Sequence, residues 1–381
     1  MSMRIAILGT RGIPNQYGGF ERLAEQLSCR LAEKGNDVFV YNSHNHIYKE
    51  KKWNDVNIIH CFDPEYISGT CGQFIYDLNC ILDARKRKFD IILILGYTSS
   101  SVWHKLLPAE SAVIYNMDGM EWKRAKYSKL TKKFLQYAEK LAVQNSNYFV
   151  TDSPAMHTYF QNKYKLPSEY IAYGAEIFTN ENEEILKEYN TSKKEYFLLI
   201  ARMEPENNIE TILEGFSISK TNKKFIVVGN TINKFGSYLV KKFSYDKRIC
   251  FAGPVYDLQK LHTLRKFSHL YFHGHSTGGT NPSLLEAMAS KALIVAHDNV
   301  FNKLVLENNA FYFTSGFQIK CFVDQQGIEN CAEDMINNNF KKIQQTYNWQ
   351  KITLQYERFM MQCLYTHINE RNILHKRYSS E

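Results

Sequence analysis

Along the first part of the chain, short apolar runs alternate with stretches of helical periodicity: RIAILGT from Arg4, DVFVYNS from Asp37, VNIIHCF from Val56, DIILILGY from Asp90, AVIYNMDG from Ala112 and YFVTDSP from Tyr148. Runs that are apolar at nearly every position, separated by helices, predict a parallel sheet covered on both faces. The pattern weakens after Pro167, where SEYIAYGAEIFTNENEEI reads as a crossover, and then restarts. The second series is EYFLLIARM from Glu195, KFIVVGN from Lys224, RICFAG from Arg248, HLYFHG from His269, LIVAHD from Leu293 and AFYFTS from Ala310. Two successive α/β units predict two doubly wound, Rossmann-like domains facing across a cleft, with ligands outside the carboxyl ends of the strands. The expected boundaries are 1–175 and 176–345. In a closing segment, 346–381, Ile352, Tyr356, Met360, Cys363 and Leu364 recur at helical spacing, which predicts a long helix packing back on the first domain.

At 381 residues the chain exceeds one ordinary core and fits two. The net charge of +8 favours acidic partners: nucleotide phosphates, anionic lipid or nucleic acid. A nucleic-acid-binding protein is the rival from outside the enzymes, suggested by that charge and by 25 tyrosines, but none of the common nucleic-acid-binding motifs occurs. The eight cysteines are scattered without metal-ligand spacing, as expected of reduced, buried thiols in a cytosolic protein. Met1 runs straight into a strand without the features of a signal peptide, and no apolar stretch reaches the roughly 20 residues of a membrane span. The expectation is a soluble cytoplasmic protein.

Three stretches carry chemistry. In GTRGIPNQYGGFERLAEQL, from Gly9, a strand breaks into a glycine-rich loop before an amphipathic helix. Gly18 and Gly19 at the helix start let bare amides approach an anion, although a steric requirement of the turn would select the same glycines. The spacing is not that of the dinucleotide fingerprint, which argues against dehydrogenase chemistry. In ARMEPENNIETILEGF, Arg202 at the end of a strand can pair bidentately with a diphosphate, or simply with Glu204 or Glu206. In HGHSTGGTNPSLLEAMASKALIVAHD, from His273, a strand runs into Gly278, Gly279 and Thr280; Asn281 caps a helix, Pro282 fits its first turn and Glu286 lies one turn in. The loop offers backbone donors to a phosphate or sugar, and Glu286 can accept from a ribose diol.

Read together, GIPNQYGGFE, ARMEPENN and STGGTNPSLLEAMA resemble the retaining glycosyltransferases of family four, which have the GT-B fold, and most closely the subgroup that includes bacterial polysaccharide β-1,4-rhamnosyltransferases. The resemblance implies that Gly18, Gly19 and Arg202 contact the diphosphate of a nucleotide-sugar donor and that Glu286 holds its ribose. It makes 1–175 the acceptor domain and 176–345 the donor domain. Two positions depart from the family: Gly278 replaces a glutamate eight residues before Glu286, and Asn207 replaces a lysine five residues after Arg202. Lys234 in GNTINKFG is the candidate substitute for the lost phosphate counter-charge.

A fourth stretch, NMDGMEWKRAKYSKLTKKFLQYAEKL from Asn116, follows a strand end where relatives carry a histidine near the reacting sugar. Asp118 can orient an acceptor or donor hydroxyl, or merely cap a turn, and Glu121 is a second carboxylate. Beyond it Leu130, Phe134, Tyr137 and Leu141 form an apolar stripe, with Lys126, Lys129, Lys132, Lys133 and Lys140 largely elsewhere around the helix. Such a helix either packs on a core or approaches an anionic membrane. The resemblance implies transfer of a sugar, best L-rhamnose from dTDP-rhamnose, to a lipid-diphosphate-linked saccharide at the inner face of the membrane, with retention and without a metal or other cofactor. A UDP- or GDP-sugar transferase and a nucleotide-sugar epimerase of the same fold are the rivals.

Overall fold

The computed structural model describes residues 2–378 except 17, 118, 125, 126, 147, 326, 327 and 329–331. By contacts, residues 1–122, 127–172 and 349–381 form one compact unit, and residues 123–126 and 173–348 form the other.

In the first unit eight strands make one sheet: β1 (Arg4–Leu8), β2 (Asp37–Ser43), β3 (Lys52–Trp53), β4 (Val56–Cys61), β5 (Ile91–Leu95), β6 (Ala112–Met117), β7 (Tyr148–Thr151) and β8 (Glu169–Tyr170). Their order is β3-β4-β2-β1-β5-β6-β7-β8, and all neighbours are parallel except β3 and β4. Ile5, Ile7, Val38, Val40, Ile92 and Ile94 are fully buried, as the continuous apolar runs require of a sheet covered on both faces. The covering helices are α1 (Gly19–Glu33), α2 (Glu65–Ser68), α3 (Gly72–Arg87), α4 (Lys129–Asn145) and α5 (Pro154–Tyr164). β3 and β8, with two residues each, are too short to show a period in the sequence.

The second sheet is wholly parallel, from β9 (Tyr196–Ile200), β10 (Lys224–Val228), β11 (Ile249–Gly253), β12 (Tyr271–His273), β13 (Ile294–His297) and β14 (Phe311–Phe313), in the order β11-β10-β9-β12-β13-β14. Its helices are α6 (Ile209–Ser217), α7 (Lys234–Lys242), α8 (Leu258–Phe267), α9 (Pro282–Ala289), α10 (Val300–Leu306), α11 (Gly316–Asp324) and α12 (Ala332–Gln345). Phe197, Phe216, Phe225 and Phe272 meet edge-on or stacked at the centre of this core. The order reverses direction between β9 and β12. That switch point is where the loops leaving neighbouring strands diverge and leave a crevice at their carboxyl ends.

The last helix, α13 (Trp349–Tyr378), belongs to the first unit although the whole second unit precedes it. Asn116 Nδ2 at the end of β6 donates to Tyr356 Oη at 2.8 Å, and Lys34 beyond α1 pairs with Glu357 at 2.8 Å. Tyr356, Met360 and Cys363 are buried along its inner face.

One expectation needs correction. Of the cysteines, Cys71 and Cys321 are exposed and Cys250 is half-buried, leaving Cys29, Cys61, Cys80 and Cys363 as buried thiols; Cys331 lies outside the described residues. The apolar stripe of α4, for which core packing and membrane contact both stood open, is divided: Leu130 is 80% exposed and Tyr137 56%, while Phe134 and Leu141 are half-buried and Phe134 meets Phe74. Leu135, Ala138, Glu139 and Ala142 are buried. The polar Glu139 can be buried because Tyr159, Tyr164, Lys163 and Trp122 all donate to its carboxylate.

Candidate functional site

The second unit carries the denser constellation. β9 ends at Ile200, and the chain passes through Arg202 into a tight turn, Pro205–Asn207, before α6. Asn207 Nδ2 donates to the Arg202 carbonyl at 2.7 Å, which leaves Asn207 Oδ1 to accept from His275 Nδ1 at 2.9 Å. Asn208 Nδ2 donates to the Gly274 carbonyl, and Ser276 donates from both its amide and Oγ to the Glu206 carbonyl. A Cβ at residue 274 would stand 1.9 Å from the Asn207 carbonyl oxygen, so only glycine lets the two loops meet. The loops that leave β9 and β12, on either side of the switch point, are thus fastened together.

Arg202 is exposed, and among the described residues its guanidinium has no hydrogen bond or ion pair. It is not neutralised by Glu206, whose carboxylate is only 7% exposed with neither oxygen hydrogen-bonded. Lys234 is the first residue of α7, exposed. Its helix is capped by Asn233, which accepts from the Gly236 amide at 2.7 Å and donates to the Met203 carbonyl at 2.8 Å. Arg202 and Lys234 therefore stand on adjoining, mutually bonded loops. Burial, with the charges of Arg124 and Arg202 next, pushes the His275 imidazole down to about 3, against an opposing contribution from the Thr277 backbone. The ring is neutral at ordinary pH.

Gly278 has φ +129°, a region that favours glycine, and Gly279 and the buried Thr280 continue the loop. Asn281 caps α9 by accepting from the Ser283 amide at 2.9 Å, and Pro282 occupies the first turn. Glu286 is half-buried and ion-paired: Arg265 Nη2 donates to its Oε2 at 2.6 Å. Arg265 from α8 is only 4% exposed and also reaches Ser283 Oγ, which bonds Tyr271 Oη. The other Glu286 oxygen, Oε1, makes no hydrogen bond among the described residues.

In the first unit Gly18 caps α1 with φ 123°, and a Cβ there would stand 2.1 Å from Glu21 Oε2. Glu21 is buried, and its Oε1 accepts from the Arg11 amide at 3.0 Å. Asn42 Oδ1 takes the Ile13 amide and Glu25 Oε1 the Asn15 amide. A carboxylate at a helix amino end is favourable with the helix dipole. Together with Asn42 and Glu25 it also occupies amides of the glycine-rich loop, and the Cβ clash with Glu21 makes the glycine at 18 answer first to a steric demand. Gly19 opens the helix. Of the acceptor candidates, Glu121 follows β6 in a short turn within hydrogen-bond range of Tyr127 Oη at 3.5 Å, while Asp118 lies outside the described residues.

Sequence reasoning missed Glu21, Arg265 and His275. Each acts through a partner distant in the chain or through a shape that only the folded loop reveals. Among the described residues no three His, Cys, Asp or Glu side chains are grouped to hold a metal ion.

Two parallel-sheet α/β units, the second with an exposed arginine after β9 at its switch point, define a two-domain class of doubly wound folds. Residues 181–351 match the group 1 glycosyl transferases, and residues 2–176 match a domain of unknown function, DUF1972. The second unit is thus similar to the group 1 glycosyl transferases, and the two-domain α/β fold with parallel sheets matches that of GT-B glycosyltransferase structures. The sucrose-phosphate synthase of Thermosynechococcus elongatus is similar in fold, with TM-score 0.78 at 15% identity over 95% of this chain and 99% of that one. Anabaena HepE in complex with UDP and glucose gives 0.75 at 15% identity over 94% and 100%. A glycosyltransferase from Rickettsia africae gives 0.72 at 14% identity over 96% and 99%. No curated protein matches the chain.

Proposed function

We propose that the protein transfers L-rhamnose from dTDP-rhamnose to a hydroxyl of a lipid-diphosphate-linked saccharide, in surface polysaccharide synthesis at the inner face of the membrane. The observation that carries the nucleotide-sugar reading is the exposed Arg202, unpaired among the described residues, at the switch point of the unit that resembles group 1, with Lys234 on the adjoining loop, an arrangement suited to an oxygen-rich diphosphate. UDP and glucose bound to a relative of the same fold point the same way. Glu286 Oε1 accepts from the ribose diol, while Arg265 fixes the carboxylate through Oε2.

The transfer retains configuration. The acceptor oxygen bonds to the anomeric carbon on the face the diphosphate leaves, the bond from carbon to phosphate oxygen breaks, and the departing oxygen takes the acceptor's proton. No carboxylate nucleophile and no metal is needed. The protein's contribution is to position the partners and stabilise the charge that develops on the diphosphate through Arg202, Lys234 and the amides of Gly279 and Thr280. Asp118 and Glu121 orient the acceptor hydroxyl.

The test is a panel of dTDP-, UDP- and GDP-sugars with a synthetic lipid-diphosphate acceptor, the product analysed by NMR. The expected product is an α- or β-rhamnoside of the donor's own anomeric configuration, formed from dTDP-rhamnose alone. Arg202→Ala is expected to lower kcat/KM at least about a hundredfold, the scale of one lost transition-state contact. Glu286→Gln, which keeps a partner for Arg265, is expected to raise KM for the donor and leave the fold intact. Turnover unaffected in both variants, or transfer from a UDP- or GDP-sugar, would refute the assignment.

A further inference from the structure

The resemblance expects a glutamate at the position of Gly278, and its missing side chain leaves a space that is already claimed. A Cβ built on Gly278 would stand 3.1 Å from His275 Nε2, nearer to it than to any other atom outside its chain neighbours. The imidazole edge of His275 therefore faces the place where a glutamate at 278 would begin. The ring is half-buried rather than sealed, so that edge is within reach of a ligand.

The hydrogen-bonding role of that edge follows from the rest of the network. Asn207 Nδ2 is committed to the Arg202 carbonyl, so its Oδ1 is the atom facing His275, and His275 Nδ1 must carry a hydrogen to make the 2.9 Å contact. The guanidinium charges of Arg124 and Arg202, and burial, oppose a second proton on the ring. Nε2 is thereby left with a lone pair. Its backbone is held as well: the His275 carbonyl accepts from Asn299 Nδ2 at 2.9 Å and Asn302 Nδ2 at 3.0 Å.

We propose that His275 Nε2 is the hydrogen-bond acceptor for a hydroxyl of the donor sugar, in place of the carboxylate that Gly278 lacks, with Asn207 as the residue that fixes its tautomer. This rests on the nucleotide-sugar reading above and deepens it. The two departures from the family then form one change: the residue in the lysine's place, Asn207, orients the residue that replaces the glutamate. The exchange removes one negative charge near the diphosphate at the same time as it removes one positive charge. The balance of charge around the leaving group is preserved.

The experiment is calorimetric titration of the full chain at pH 7.5 with dTDP, dTDP-rhamnose, UDP and UDP-glucose. The readout is the ratio of the Kd for each nucleoside diphosphate to that for its sugar conjugate. His275→Asn keeps a donor near Nδ1 and loses Nε2; it is expected to lower the ratio about fivefold, the scale of one neutral hydrogen bond, with the diphosphate Kd little changed. His275→Gln, whose amide oxygen reaches the Nε2 position, is expected to restore part of the ratio. The wild-type ratio is expected to stay level between pH 5.5 and 8. A ratio unaltered in His275→Asn, a matching loss of affinity for dTDP or UDP alone, or no recovery in His275→Gln would overturn the proposal. Wild-type protein that binds none of the four compounds would overturn the nucleotide-sugar reading itself.

Discussion

At the scale of single residues, the second unit buries a histidine by holding it neutral. His273 is fully buried at the end of β12, its Nε2 has no partner, and burial pushes its imidazole down to about 3. An unfolded chain titrates this ring near 6.5, so between the two values the unfolded state binds the additional proton. The sign follows: stability is intact above pH 6.5 and is lost as pH falls toward 3. Between pH 7 and pH 5 this one ring should cost on the order of 2 kcal/mol, and His273→Phe should remove that share of the pH dependence. Urea denaturation midpoints of the two proteins at pH 7 and 5 measure it; equal slopes would count against the assignment. Arg202 and Glu286 were legible as chemistry because the strand ends and the helix cap locate them along the chain. Arg265 and Glu21 were not, since a paired arginine and a carboxylate folded back on Gly18 leave no periodic trace. His275 was visible only as a histidine near a glycine pair; its tautomer depends on an asparagine from another loop.

At the scale of elements, the strands were read well because buried parallel strands are apolar throughout, a pattern that survives without knowledge of neighbours. α4 shows the opposite case. Its sequence contains two apolar stripes, and Leu130 and Tyr137 of the one with the larger side chains are left outside, because Glu139 and its aromatic donors claim the inner face. The outer face sets Leu130 and Tyr137 beside the exposed Lys129, Lys133 and Lys140. A helix so built is suited to lie on an anionic lipid surface, where each nearby lysine contributes about 1 kcal/mol. Liposome co-sedimentation is expected to show binding to phosphatidylglycerol vesicles and not to phosphatidylcholine, weakened at least tenfold when those three lysines are changed to glutamine. Equal pelleting with both lipids, or by the triple variant, would remove the helix from consideration. Among the described residues no helix is long and apolar enough to cross a membrane.

At the scale of the whole molecule, the order of motifs carried more than any one of them, since two restarting strand series are hard to produce by chance. The division of labour between units was harder to see. The sequence marks the end of the second sheet, but that α13 serves the first unit depends on side chains such as Asn116 and Tyr356, which are remote from each other along the chain. Truncation after Asn348 would uncover the apolar surface that Tyr356, Met360 and Cys363 bury. The truncated chain is expected to lose its first unit's cooperative melting transition while residues 173–348 retain theirs, as read by calorimetry of the two fragments. A truncated chain with an unchanged profile would show α13 to be an accessory.

The return of α13 also has a bearing on how the chain is made. Residues 1–172 emerge first but lack the helix that completes their sheet's cover, and they must wait while the second unit is translated. At about 5–20 residues per second that interval is on the order of 10–30 s. The second unit can close during this time, whereas the first reaches its native cover only once α13 has left the ribosome. The half with the glycine-rich loop is therefore the one exposed to chaperones and proteases during synthesis, and destabilising changes in β6 or α1 should reduce yield in the cell more than they reduce stability in the purified protein.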